Sequence, residues 1–160
     1  MHPGGKSVFP TMTVAQNLQM GAYAYRKDRE DRDRRIARVL DLFPALAAKR
    51  SDRADSLSGG QQQMLGLARA LLHDPEILLI DELSLGLAPV AVQELLAVLE
   101  RLRDQGLTIV VVEQSVDVAL SIADRAVFME KGEVRFEGLA QDLRERDDLL
   151  RAVFLGEGGG

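Results

Sequence analysis

Apolar residues recur at a helical spacing through the first third of the chain, and the rhythm changes near Ser58. TVAQNLQMGAY (13–23) reads as a helix with Thr13 near its start. A second helix covers about 28–42, with Ile36, Val39, Leu40 and Phe43 on one face, and Pro44 stops it. From Ser58 onward, short apolar runs alternate with helical stripes. EILLID (76–81), bounded by Pro75 and two acids, has the pattern of a strand buried on both faces. Pro89 suits the first turn of a helix whose buried stripe is Val92, Leu95, Leu96, Leu99 and Leu102. Gly106 ends that helix and LTIVVV (107–112) supplies another buried strand, so a right-handed parallel crossover is expected. A short helix near 115–123 and a hairpin over 125–138 about Lys131-Gly132 come next. A helical segment from about 139 to 155 and a loose GEGGG tail complete the order.

Composition narrows the class. The 160 residues suit one compact domain, and an apolar content of 46% is enough for a real core. With no Cys, neither a disulfide framework nor a thiolate zinc site is possible. The longest aliphatic runs, ILLI (77–80) and IVVV (109–112), are far too short to span a bilayer, and no signal peptide is visible. Any membrane role must therefore come through a partner. A net charge of −5 argues against a nucleic-acid surface. The basic stretch RKDREDRDRRIAR (26–38) interleaves acids and bases and reads as a solvated helix face.

GGKS (4–7) spells the end of a phosphate-binding loop, but its context does not fit one. Such a loop lies between a buried strand and a helix whose positive end faces the anion. Here only three residues precede the glycines, and Pro10 discourages a helix after them. A Gly/Pro turn is the expected structure.

Chemistry is concentrated in SLSGGQQQMLGLARALLHDPEILLIDELSLGLAP (56–89). Ser58 and two glycines stand where a long helix begins. Backbone N–H groups and the helix dipole make that end electropositive, and Ser58 can cap it. Alone, the segment is simply a capped turn. Asp81 and Glu82 follow the apolar run 77–80, at the carboxyl end of a strand, where open α/β sheets bind ligands. A carboxylate there can hold Mg²⁺ and its neighbour can deprotonate a water, or the two acids can cap the next turn.

Together these pieces resemble an ATP-binding cassette (ABC) ATPase. LSGGQ (57–61) matches that family's signature, ILLIDE (77–82) its magnesium-and-base strand, and SLGLAP (84–89) the loop that follows. SVFPTMTVAQNLQMGAY, VVVEQSVDVALSIADRAVFMEKGEV and LLRAVFLG look most like the ATP-binding proteins of branched-chain amino acid uptake transporters. The resemblance implies a P-loop NTPase-like core, a parallel sheet with flanking helices, plus a helical subdomain. Residues 1–57 would be a linker and the helical signalling subdomain. Residues 58–138 would carry the signature helix, the Walker B strand and the switch strand, and 139–160 C-terminal helices and a Gly-rich tail. Pro3, Gly5, Val8 and Phe9 fall on the V-P-x-G-x-x-V-F pattern that leads into the helical subdomain in those proteins, which makes GGKS a coincidence. The phosphate loop, its strand and the adenine-stacking aromatic are then expected N-terminal to the segment present, and Gly4 stands where many relatives carry a Mg²⁺-sensing glutamine.

By the same resemblance Asp81 would bind Mg²⁺ through water and Glu82 would be the base. Leu57, Ser58, Gly59, Gly60 and Gln61 would contact ATP held by a partner, because the family works as a head-to-tail pair. Gln114 occupies the switch position where most cassettes have His, and Leu83 replaces the usual Pro. His73, at the end of the signature helix, would be structural. The implied partners are a second ATPase subunit, integral permease subunits and, indirectly, a solute-binding protein, at the cytoplasmic face of the membrane, with no nucleic acid. The alternative roles are a non-catalytic signature donor to a partner's site, or a soluble cassette in repair or translation. The absence of a long coiled coil and the uptake-type motifs weigh against the latter. Without its phosphate-loop strand the sheet would show bare apolar surface, so a stable monomer and ATP binding by this chain alone are not expected.

Overall fold

The computed structural model describes residues 8–145. In its first part, α1 (Val14–Gly21) runs into a short 3-10 turn (Ala22–Tyr25), followed by α2 (Arg29–Leu42) and α3 (Pro44–Ala48). Thr13 starts α1 through a capping box: its hydroxyl accepts from Gln16 N–H while the Gln16 side chain accepts from Thr13 N–H. The 13–23 helix thus ends two residues early, in tighter coils. Pro44 stops α2 and also begins α3, since a proline lacks only an N–H that the first helical turn does not use.

The second part opens with α4 (Gly59–Leu71), then β1 (Ile77–Asp81), α5 (Pro89–Asp104) and β2 (Thr108–Val112). β1 and β2 pair in parallel from Ile77↔Thr108 to Asp81↔Val112, with α5 as the crossover. A short helix, α6 (Val116–Ile122), leads to the antiparallel hairpin of β3 (Arg125–Glu130) and β4 (Glu133–Leu139), then α7 (Ala140–Arg144). Lys131 and Gly132 both take positive φ, +50° and +83°, the geometry of a two-residue hairpin turn. Most of the helix expected over 139–155, the LLRAVFLG segment and, at the other end, GGKS with Pro3, Gly4 and Gly5 lie outside the described residues.

One contiguous core joins both parts. α4 contributes Met64, Leu65, Ala68 and Leu71, packing against α1, α2 and α3; α5 contributes Leu95, Leu96, Leu99 and Leu102. Leu120, Ala140 and Leu143 form a smaller cluster beneath the hairpin, with Phe128 and Phe136 against it. The two strands are not buried on both faces, contrary to the sequence pattern. Leu78, Ile80, Ile109 and Val111 turn inward, whereas Ile77, Leu79, Val110 and Val112 are exposed, Leu79 at 73%. Nothing among the described residues covers that face.

The basic run is not wholly solvated either. Arg35 and Arg38 reach from α2 to the last carbonyls of α4, donating to Leu72 O (3.0 Å) and Leu71 O (3.1 Å), and both pair with Asp74. Cations are favoured at that negative helix end. His73 lies beside Tyr25, ring centroids 5.7 Å apart, away from the sheet edge.

The segment entering α1 is held by Asn17, a fully buried polar residue. Its Oδ1 accepts from Phe9 N–H (2.7 Å), and its Nδ2 donates to Phe9 O (2.9 Å), Thr13 O (3.0 Å) and Met12 O (3.3 Å). Truncation would strand those backbone groups out of water. Asn17→Ala is expected to cost about 1–3 kcal/mol of unfolding free energy, read from urea denaturation; an unchanged midpoint would refute this account of the segment.

Candidate functional site

Two sets of residues carry the chemistry. The first stands at the carboxyl edge of the parallel sheet. Asp81 is the last residue of β1, and the chain then turns sharply through Glu82, whose φ of +51° lies in the left-handed region that non-glycine residues rarely occupy. Glu82 N–H still bonds across the sheet, to Val112 O at 2.9 Å. The Gln114 Nε2 amide donates to Glu82 Oε1 at 2.9 Å, so both sheet strands deliver a side chain to one place. Such strain persists where surrounding contacts over-determine it, commonly at functional sites. Leu83, in the position of the usual proline, is buried in the core and anchors the turn.

Glu113, which the sequence reading passed over, organises this edge. Its Oε1 accepts from Ser84 N–H (2.7 Å); its Oε2 accepts from Gln114 N–H (2.9 Å) and Ser115 N–H (3.3 Å). Partial burial works to raise its pKa, but the Ser84 hydroxyl and these backbone donors outweigh that and leave it below the usual glutamate value. The available signal was an acid immediately after an apolar strand, next to the switch residue.

The second set begins α4. Ser58 Oγ accepts from Gln61 N–H (3.2 Å) and Gln61 Oε1 accepts from Ser58 N–H (3.2 Å), a second capping box. The Gln62 amide donates to Ala54 O (2.9 Å) and Leu57 O (3.2 Å), fastening the loop before the helix. Ser58 and Gly59 are exposed. The side chain of Leu57 is buried, so it anchors the motif and cannot itself face a nucleotide; only its backbone can. The glycines are explained by close approach. A Cβ on Gly60 would lie 2.5 Å from the Ala91 Cβ on α5, while one on Gly59 would meet only the Leu87 Cδ2 at 3.6 Å. Residues 84–88 thus run from the sheet edge back to the start of α4.

The fit to a nucleotide and metal is partial and specific. No group of three or more His, Cys, Asp or Glu that could hold a metal occurs among the described residues. The single exposed carboxylate of Asp81 suits Mg²⁺, which keeps several waters and takes one or two carboxylates together with substrate phosphates. In the first turn of α4 the capping box takes up Gln61 N–H, and the N–H groups of Gly59 and Gly60 that lie outside it suit an anion.

Comparison with known proteins adds the family. The sequence profile described as "ABC transporter" matches residues 2–84. The chain belongs to the ABC transporter family. This ABC chain is 44% identical over 132 residues to the high-affinity branched-chain amino acid transport ATP-binding protein BraG of Pseudomonas aeruginosa, covering 82% of the chain and 56% of BraG. It is 39% identical over 146 residues to the probable branched-chain amino acid transport ATP-binding protein LivF of Archaeoglobus fulgidus, covering 91% of the chain and 61% of that relative. The chain therefore spans little more than half the length of these relatives. Others are named as methionine and phosphonates import ATP-binding proteins. Among solved structures, cbiO1 from Clostridium perfringens, part of the ABC transporter complex cbiONQ, superposes with a TM-score of 0.79 at 23% identity, covering 92% of this chain and 59% of that one. At that identity the match establishes the fold, an ABC ATPase cassette.

The Gly60 contact separates two substitutions that look alike on paper. Gly60→Ala is expected to lose about 1–3 kcal/mol by forcing α4 from α5, and Gly59→Ala to change stability by under about 0.5 kcal/mol. Equal urea midpoints for the two variants would sink the close-packing explanation.

Proposed function

We propose that this chain supplies the signature helix, the magnesium-and-base strand and the switch residue of an ATPase subunit that energises import of branched-chain amino acids or similar solutes at the cytoplasmic face of the membrane. The observation that carries the reading is the Gln114–Glu82 contact at the sheet edge, directly after Asp81. The names of the relatives support the solute class.

In this mechanism Glu82 accepts a proton from water as the water oxygen bonds to the γ-phosphorus of ATP, and the bond from that phosphorus to the ADP oxygen breaks. Gln114 keeps the Glu82 carboxylate oriented. Asp81 would hold Mg²⁺ through water; when bound, the ion neutralises developing phosphate charge. The start of α4, with Ser58 and Gly59 exposed and Gly60 and Gln61 in the same turn, would bring the Gly59 and Gly60 backbone N–H groups and a positive dipole end to the nucleotide of the opposing subunit in a head-to-tail pair. Stabilisation is electrostatic and depends on the two surfaces closing together.

Glu82→Gln in the assembled transporter is expected to lower phosphate release at least about 100-fold while ATP still binds. Turnover within tenfold of the unaltered assembly would remove Glu82 as base and leave the chain as a signature donor that hydrolyses nothing itself.

The route to the permease lies in the helical part. Met12, Met20 and Tyr23, together with Arg26, Arg29 and Arg32, line an open groove of about 500 Å³. No helix among the described residues is long and apolar enough to cross a membrane. The groove suits a short amphipathic segment of a membrane subunit, taken up by flexible methionines. Met12 and Met20 replaced together by Glu should abolish transport-stimulated turnover; assembly and stimulation at unaltered levels would rule this surface out.

A further inference from the structure

We propose that Glu113 is a positioning residue, which holds Gln114 against Glu82 by fastening the turn after β2 to the turn after β1. The two turns are separate in sequence by about thirty residues, and the last backbone bond between the strands is the one from Glu82 N–H to Val112 O. Beyond it, the Glu113 carboxylate bridges them. One oxygen takes Ser84 N–H on the β1 side; the other takes Gln114 and Ser115 N–H on the β2 side. Gln114 is exposed, so packing alone does not choose its rotamer. Its backbone is instead fixed by the residue before it, and its amide then meets Glu82 at 2.9 Å.

The chemistry of the bridge is particular to a carboxylate of this length. All three backbone partners are donors, so the group between them must accept on both sides. A glutamine has one carbonyl oxygen and would aim an NH₂ group at one set of N–H groups. An aspartate is one methylene shorter and cannot span the same gap. Charge assistance makes these bonds stronger than neutral ones. Glu113 also feeds the next element: Ser115, held by the same oxygen as Gln114, caps α6 by accepting from Val118 N–H. The consequence for turnover rests on the reading of Glu82 and Gln114 given above, but the geometric claim does not.

The test follows the side-chain amide of Gln114 by nitrogen-15 NMR in the 160-residue chain, assigned through Gln114→Ala. In E113Q and E113D, with the remaining spectrum retained, hydrogen exchange of that amide should rise about tenfold and its shift move to that of a free glutamine. An unchanged Gln114 amide in folded E113Q would overturn the proposal. Should the variants not fold, the unaltered chain decides. The backbone amides of Ser84, Gln114 and Ser115 should be slowed together by at least about tenfold relative to open-loop amides, and a Ser84 amide exchanging at the open-loop rate would overturn the bridge. Failure of Glu82 as base would leave all of these signals as they are, whereas a Gln114 amide independent of Glu113 would remove the bridge and leave the hydrolytic reading standing.

Discussion

Helix α4 is packed on two sides at once. Its buried side chains Met64, Leu65, Ala68 and Leu71 fill the space against α1, α2 and α3, while its first turn presses on the start of α5 at Gly60 and Ala91. Interiors at crystal-like density leave no slack for such an element to slide. Both ends are also tied, by the capping box at Ser58 and Gln61 and by Arg35 and Arg38 on the final carbonyls. The signature residues therefore have a defined position relative to the helical part and to α5. A helix of 13 residues carries that definition over about 20 Å.

The sheet edge is built on a different principle. Few apolar contacts hold Glu82 and Gln114; turns and charge do. A left-handed residue swings the chain away from β1, a buried Leu83 pins it, and one carboxylate collects donors from both turns. Such an arrangement can be directed at a phosphate without burying ionised groups at the cost a dry site would impose.

Elements announced by local chemistry were legible in the sequence. Thr13 and Ser58, each with a glutamine three residues on, mark helix starts; Pro89 and Gly106 bracket α5; Lys131-Gly132 turns the hairpin. The signature and the Asp81-Glu82 pair were equally readable, because their meaning lies in spacing. What escaped depended on partners distant along the chain. The run 26–38 gives no sign that Arg35 and Arg38 reach α4, since that contact exists only once the two helices pack. Glu113 reads as a polar residue after a strand until Ser84 arrives from 29 positions away. The uniform apolar run 77–80 reads as burial on both faces, because the pattern records what surface a strand offers and not whether anything meets it.

That last difference bears on the thermodynamics of the chain. Ile77, Leu79, Val110 and Val112 keep apolar surface hydrated in the folded form that a strand of this composition ordinarily dries on folding. Unfolding an isolated chain exposes correspondingly less new surface, and both the heat-capacity increment and the denaturant slope scale with that newly exposed area. For its length, the single chain thus has a flatter stability curve than a domain whose sheet is covered, and part of the hydrophobic driving force encoded in β1 and β2 is realised only when another surface comes to lie against them.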